Sequence, residues 1–312
     1  MRILPISILL SCVSISSLAQ DAKYFENKAA EFIEAKNYQQ ASVLIDKAIA
    51  LDKKNPNYLL AKADIEFELS GGAEAIKYAR KAISLDTTFA ESFNRAGTFY
   101  GSIGDSDSSI LMFNNAIRLA KDDSTKSAYR INLGTVRIRY RDLAGGIADL
   151  EKVLKFDSTS IAALNNISMA YRESGRTSDA IVTLKKLIEL NKDLIGPYVN
   201  LGLIYSQVDS LDQSLQNFNK ALIIDAEQPL IYSNRGFTYY KLGLYNDALR
   251  DINKSIDLYP SNSYAYKNLA LVYFAIGKRR EGCLALDYAQ KYGFEKRFGS
   301  EVNDLVKSQK CK

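Results

Sequence analysis

The chain has 312 residues, of which 47% are hydrophobic and 25% charged, a balance that indicates a globular protein rather than a disordered one. Its formal net charge is +5, and acidic and basic residues are interspersed without a Lys/Arg run, which argues against nucleic acid as a partner. Histidine is absent, so the commonest general base and metal ligand is missing, and we expect no catalytic residue, metal site or cofactor.

The first element is a leader. Met1 and Arg2 are followed by an apolar stretch over residues 3–10 and then by Ser17-Leu18-Ala19. A positive start, an apolar core and a small-x-small end are the pattern of a secretory signal peptide, so residues 1–19 predict export, with cleavage after Ala19. No second stretch approaches the roughly 18 apolar residues that cross a bilayer. The mature chain is therefore expected to have no transmembrane segment and to be periplasmic or secreted.

One cysteine lies inside this leader. The run Leu9-Leu10-Ser11-Cys12 resembles the lipobox of bacterial lipoproteins, in which the cysteine is acylated and becomes the first mature residue. Leu10 departs from the motif, which prefers a smaller residue there. Two alternatives therefore stay open: Cys12 is discarded with the leader, or it carries a lipid anchor.

The rest of the chain repeats itself every 34 residues. The segment Asn166-Ile167-Ser168-Met169-Ala170-Tyr171 has counterparts that begin at Asn200, Asn234 and Asn268. A fixed period of this length is the mark of a repeat architecture, in which stacked units bury a continuous core that one unit could not form alone.

This period, with small and aromatic residues at fixed offsets, resembles the tetratricopeptide repeat (TPR) family, of the secreted or periplasmic bacterial type. Eight repeats over residues 22–296 are expected: 22–55, 56–89, 90–123, 127–160, 161–194, 195–228, 229–262 and 263–296, with an insertion at 124–126. The resemblance implies an all-α fold, a right-handed α-solenoid of helix-turn-helix repeats. Residues 297–309 predict a C-terminal capping helix, because Phe298, Val302 and Leu305 have helical spacing.

Two positions of the repeat, counted from its first residue, hold small side chains throughout. Positions 8 and 20 carry only Gly, Ala or Ser in all eight repeats, which predicts that the two helices of a repeat cross closely there. Glycines such as Gly243 and Gly277 fall where the first helix should end, and we expect them to adopt the left-handed backbone conformation.

Position 6 supplies the candidate binding residues. In the family the first helices line a concave surface, and here five consecutive repeats carry asparagine at this position: Asn132, Asn166, Asn200, Asn234 and Asn268. The series resembles the asparagine ladder in the repeat domain of O-linked N-acetylglucosamine transferase, which holds the backbone of an extended polypeptide. A side-chain amide offers a donor and an acceptor together, which matches a peptide group. The alternative is that asparagine serves the fold at this position.

Apolar side chains at positions 9 and 12 of the last three repeats form a second candidate group: Leu203, Phe237, Tyr240, Leu271 and Phe274. Aromatic anchors in a groove commonly carry binding energy, so we expect a peptide-binding patch. The alternative is that some of these side chains pack against neighbouring helices or against the cap.

Two cysteines remain after the leader, Cys283 and Cys311. An even number in an oxidising compartment predicts a disulfide, with two free thiols as the alternative.

Together these features predict a non-enzymatic protein–protein interaction scaffold that binds an extended peptide or a partner helix, the partner being unidentified. A lipid-anchored envelope assembly factor, acylated at Cys12, and an accessory subunit of an enzyme carried on another chain are the alternatives.

Overall fold

The computed structural model describes residues 7–311, with side chains from Gln20 onward, and within these residues the chain is all-α. The helices are α1 (Ser7–Glu34), α2 (Tyr38–Leu51), α3 (Pro56–Ser70), α4 (Gly72–Leu85), α5 (Ala90–Ser102), α6 (Ser106–Leu119), α7 (Asp123–Arg139), α8 (Leu143–Phe156), α9 (Ile161–Glu173), α10 (Thr177–Leu190), α11 (Ile195–Gln207), α12 (Leu211–Ile224), α13 (Pro229–Lys241), α14 (Tyr245–Leu258), α15 (Ser263–Ala275), α16 (Arg279–Lys291), α17 (Phe294–Phe298) and α18 (Glu301–Ser308). The prediction of an all-α chain of helix-turn-helix repeats is confirmed, with two consecutive helices for each of the eight repeats.

The chain forms two compact units, residues 1–170 and 171–312, and the boundary falls within α9. In the first unit α1 packs on α2, α3 on α4, α5 on α6 and α7 on α8, and each pair contacts the next. In the second unit α11 packs on α12, α13 on α14 and α15 on α16 in the same way.

The leader prediction rests largely on residues whose structure is not described. Residues 1–6 lie outside the described range, as do the side chains of residues 7–19, including that of Cys12. The signal peptide and the lipid anchor therefore stay predictions. Among the helices within residues 7–311, none has the length and apolar character that a membrane crossing requires.

The small residues at position 8 mark the crossing of the two helices of a pair. A Cβ atom added to Gly202 of α11 would lie 2.7 Å from the ring of Phe218 on α12, and one added to Gly97 of α5 would lie 3.0 Å from the ring of Phe113 on α6. Both rings are buried. Glycine is therefore favoured in these pairs, because the partner at position 24 is phenylalanine.

Position 15, where the first helix ends, takes the left-handed conformation in seven of the eight repeats, even where it is not glycine; in the second repeat Gly71, at position 16, takes it instead. Gly243 and Gly277 have φ angles of 76° and 77°, as expected. Lys36, Arg141 and Asp209 occupy the same position of other repeats with φ angles of 56°, 70° and 58°. The turn geometry is thus set by the helix crossing, and glycine only lowers its conformational cost.

The insertion at residues 124–126 becomes helix. α7 begins at Asp123 and has 17 residues, whereas α5 and α11 have 13 each. Asp122 caps it by accepting a 2.8 Å hydrogen bond from the backbone N–H of Thr125. The extra residues therefore extend the first helix of the fourth pair by about one turn.

The C-terminal segment forms two short helices rather than the one expected over residues 297–309. Val302 of α18 is fully buried against the last pair, as is Phe294 of α17. Phe298, expected to cover the core, is instead 52% exposed at the end of α17, where its ring centroid lies 5.5 Å from that of Tyr264 and 4.9 Å from that of Phe294. Phe294 therefore supplies the aromatic contact that the sequence pattern assigned to Phe298.

Candidate functional site

In the first unit, two of the predicted asparagines donate hydrogen bonds to the preceding repeat. Asn132 of α7 donates from Nδ2 to Oδ1 of Asn94 on α5 at 3.0 Å, and Asn166 of α9 donates to Oγ1 of Thr135 on α7 at 2.8 Å. Both side chains are half-buried. Each amide retains its second N–H and its carbonyl oxygen, so these asparagines stabilise the stack without using all of their hydrogen-bonding capacity.

In the second unit, Asn200 and Asn234 are the least engaged members of the series. Asn200 accepts only a long 3.5 Å contact from Nη1 of Arg172, and within residues 7–311 the side-chain amide of Asn234 makes no hydrogen bond. Asn234 is half-buried on α13. A polar amide that is neither exposed nor paired within the fold is available to a ligand.

Asn268 differs from the rest. It is only 1% exposed, and its Nδ2 donates to the backbone oxygen and to Oγ of Ser233, both at 3.2 Å. It lies among the buried residues of the last two pairs, so the expectation that it faces a ligand needs revision. Asn268 serves the fold, which was the alternative for this position.

The five apolar residues predicted at positions 9 and 12 also differ in their contacts within the fold. Phe237 and Tyr240, both half-buried on α13, stack with ring centroids 5.8 Å apart. The buried Lys267 covers Phe237 at 5.2 Å from the ring centroid and forms a 3.1 Å ion pair with Glu301 of α18. We call the pair Phe237 and Tyr240, together with Asn234 on the same helix, the α13 site.

The other three apolar residues also lie within the fold, and Tyr240 itself packs against the buried cluster of the last pairs, as Phe274 does. Phe274 lies against Gly282 within its own helix pair, so closely that a Cβ atom at Gly282 would be 2.4 Å from the ring. Leu203 packs against the buried cluster around Tyr198 and Phe218. Leu271 is half-buried on α15. Phe274 therefore packs within its own helix pair. Leu203 stands at position 9 of the repeat before the one that carries the α13 site.

The two cysteines of the last pair and the C-terminus are brought together. The structure places Cys283 of α16 beside Cys311, with Cα atoms 5.4 Å apart. Arg279 of α16 fixes the same end by donating to the backbone oxygens of Gln309 and Lys310 at 2.8 and 2.7 Å. These contacts hold α18 against the last helix pair.

A polar network in the first unit was not predicted from the sequence. Glu91 of α5 accepts hydrogen bonds from Arg95 Nε at 2.7 Å and from the Tyr129 hydroxyl of α7 at 3.0 Å. Burial, together with the negative charge of Glu91, raises the pKa of Tyr129 to about 12. Arg95 also donates to Oδ1 of Asp64 on α3 at 3.0 Å. The signal available in the sequence was Arg95 itself, which replaces asparagine at position 6.

Models of the tetratricopeptide repeat match four stretches of the chain, two of which overlap. A model described as Tetratricopeptide repeat matches residues 229–262, a second with the same description matches 90–123 and 161–194, and one described as TPR repeat matches 207–243. Three of these stretches have the same bounds as the third, fifth and seventh repeats expected from the sequence. No curated protein matches the chain significantly.

Solved structures share the fold at low sequence identity. A tetratricopeptide repeat protein from Parabacteroides merdae is 15% identical, with 93% of this chain and 99% of that chain covered and a TM-score of 0.54. A chain of the APC/C Cut9–Hcn1 heterotetramer is 14% identical, with 87% of this chain and 52% of that chain covered and a TM-score of 0.62. PilW, a type IV pilus biogenesis factor, is 20% identical, with 65% of this chain and 92% of that chain covered and a TM-score of 0.58.

These likenesses show the fold, and the family models place its repeats in the sequence. Residues 90–123, 161–194 and 207–262 therefore carry tetratricopeptide repeats, in a chain whose paired helices have the fold of known TPR proteins.

Proposed function

We propose that this chain is a non-enzymatic scaffold that binds an extended polypeptide segment of a partner protein, and that the α13 site is one point of contact. The observation that carries the proposal is the free amide of Asn234 beside the stacked rings of Phe237 and Tyr240. TPR repeats and solved TPR folds support protein interaction as the activity in general terms.

The chemistry of the α13 site suits a peptide. An amide can donate to a backbone carbonyl and accept from a backbone N–H, so it recognises a peptide group whatever the side chain is. The neighbouring rings offer apolar area with a polar hydroxyl tip, which suits the side chain that follows in the peptide. Asn200, on the first helix of the preceding repeat, supplies a second amide.

Asn132 and Asn166 extend the proposal to the first unit. Each has committed one N–H to a neighbouring repeat and keeps the other N–H and its carbonyl oxygen. We propose that they contact a polypeptide in the same manner, more weakly than Asn234, because their orientation is fixed by the existing hydrogen bond.

A peptide selected from a random twelve-residue library on the mature chain tests this proposal. Its affinity would be measured by fluorescence anisotropy for the wild type, for Asn200→Ala/Asn234→Ala and for Phe237→Ala. We expect at least tenfold weaker binding for both variants, in line with the loss of an interface anchor. Asn253→Ala, an exposed asparagine on α14, is the control and should bind normally. Full affinity in the double variant would contradict the proposal.

We further propose that the chain is exported and that Cys283 and Cys311 form a disulfide in the mature protein. Their placement supports this proposal, because Cα atoms 5.4 Å apart are within the usual range for a bridge. Intact mass measured without reductant should match cleavage after Ala19 and the loss of two hydrogens. A mass with two free thiols argues against the bridge, and partition of the processed protein into detergent indicates the lipid anchor at Cys12 instead.

A further inference from the structure

A pocket in the first unit contains none of the predicted binding residues, although its Arg95, Asp64 and Phe67 stand at the same positions 6, 9 and 12 of their repeats. It has a volume of about 340 Å³ and is bordered by α1, α2, α3 and α5. Its lining residues are Ile33, Tyr38, Asp64, Ile65, Phe67, Glu68, Arg95, Thr98 and Phe99. This size is at the lower end of small-ligand sites, which suits a side chain rather than a cofactor.

The walls of this pocket are apolar. Phe67 of α3 and Phe99 of α5 lie with ring centroids 5.4 Å apart, and Phe99 is almost fully buried. Ile33 and Tyr38, from the first pair, are half-buried on the opposite side. A long aliphatic stem would therefore be surrounded by carbon on entering the pocket.

The charges at the pocket do not balance. Arg95 divides its guanidinium between Oδ1 of Asp64 at 3.0 Å and Oε1 of Glu91 at 2.7 Å, so one cation serves two carboxylates. Glu68 is exposed and has no ion-pair partner within residues 7–311. Burial is the main reason that the pKa of Asp64 is raised, and the nearby charges of Glu91 and Glu68 contribute, although Arg95 opposes them. The pocket thus has a surplus of negative charge.

We propose that this pocket binds the side chain of an arginine or lysine of the partner polypeptide, a proposal that rests on the scaffold function given above. The stem packs between Phe67 and the first helix pair, and the cationic head reaches Glu68 and the unoccupied oxygen of Asp64. An aromatic wall also attracts a cation. A purely apolar side chain is disfavoured, because it would take water from two carboxylates without providing a counter-charge.

Methyl NMR tests the proposal directly, since Ile33 and Ile65 line the pocket. The mature chain, with labelled isoleucine methyls, is titrated with Nα-acetyl-arginine methylamide and, separately, with the norleucine analogue, which keeps the stem and lacks the charge. We expect both methyls to shift with the arginine compound, with a dissociation constant three- to fivefold lower than for norleucine, the range of a partly exposed ion pair.

Two variants assign the preference to the carboxylates. Glu68→Gln removes a charge that no fold contact uses and should abolish the preference for arginine, whereas Asp107→Asn, an exposed acid of α6 outside the pocket, should preserve it. Asn200→Ala/Asn234→Ala should leave the titration unchanged, which separates this pocket from the α13 site. Unshifted Ile33 and Ile65 methyls, or equal affinity for norleucine and arginine, would overturn the proposal while leaving peptide binding at the α13 site intact.

Discussion

Replacing Gly202 with alanine should destabilise the second unit, although alanine is the better helix former. The added Cβ atom would lie 2.7 Å from Cε1 of Phe218, whereas carbon atoms normally approach to about 3.5–4.0 Å. The Phe218 ring is fully buried, so it has little room to retreat. Overpacking of this kind costs about 1–3 kcal/mol, and the gain in helix propensity offsets about 1 kcal/mol. We expect a net loss of about 1 kcal/mol in the free energy of unfolding, measured by urea denaturation.

A double-mutant cycle tests whether the ring is the cause. In a Phe218→Leu background the alanine should become neutral or stabilising, because the eighth repeat already combines Ala270 with Leu286 at these two positions. Gly97→Ala should cost less than Gly202→Ala, since its nearest ring atoms are 3.0 Å away. The reasoning is refuted if Gly202→Ala raises the stability of the wild type, or if its cost is the same in both backgrounds.

Three further results are expected. Cys311→Ser should lower the free energy of unfolding by about 3–4 kcal/mol, as chain entropy gives for a separation of 28 residues, and added reductant should then have no further effect on its melting curve. Ultraviolet titration should show one tyrosine, Tyr129, ionising near pH 12, and the pKa of Tyr129 should be lower in Glu91→Gln. Because folding raises this pKa, the contribution of Tyr129 to stability is complete below about pH 10 and is lost as the pH rises further. Asn268→Ala should cost about 1–2 kcal/mol through its lost buried hydrogen bonds, whereas Asn234→Ala, which breaks none, should stay within about 0.5 kcal/mol of the wild type in the same urea assay.

The helix pairs could be predicted because their signal lies within one repeat. Position 8 faces position 24 where the two helices of a repeat cross, so Gly202 meets the large ring of Phe218, whereas Ala63 stands opposite Ala79. The same two positions meet in every repeat, and the constraint therefore recurs with the period of 34. The cap had no such recurrence. The sequence predicted one helix there, because the spacing of Phe298, Val302 and Leu305 fits a continuous helix. In the structure Gly299, with a φ angle of 86°, ends α17 before α18 begins.

The pocket of the first unit could not be predicted for the opposite reason. It is lined by residues of three successive repeats, and neither Asp64 nor Arg95 recurs at its position in another repeat. Asp64 stands at position 9 and Arg95 at position 6, and only the packing of α3 against α5 brings them together. A search for residues that recur from repeat to repeat therefore does not identify a site that depends on Asp64 and Arg95.

The asparagine series shows that a repeated residue acquires its role from the repeat before it. In the preceding repeat, Asn132 donates a hydrogen bond to Asn94 at position 5, Asn166 to Thr135 at position 9, and Asn268 to Ser233 at position 5. The corresponding residues before Asn234 are Val199 and Leu203, which offer no hydrogen-bond partner. Within residues 7–311, Asn234 therefore makes no side-chain hydrogen bond, because its neighbours at these two positions are apolar. Position 6 alone identifies candidates, whereas for these four asparagines positions 5 and 9 of the preceding repeat distinguish the three that the fold has already used from Asn234.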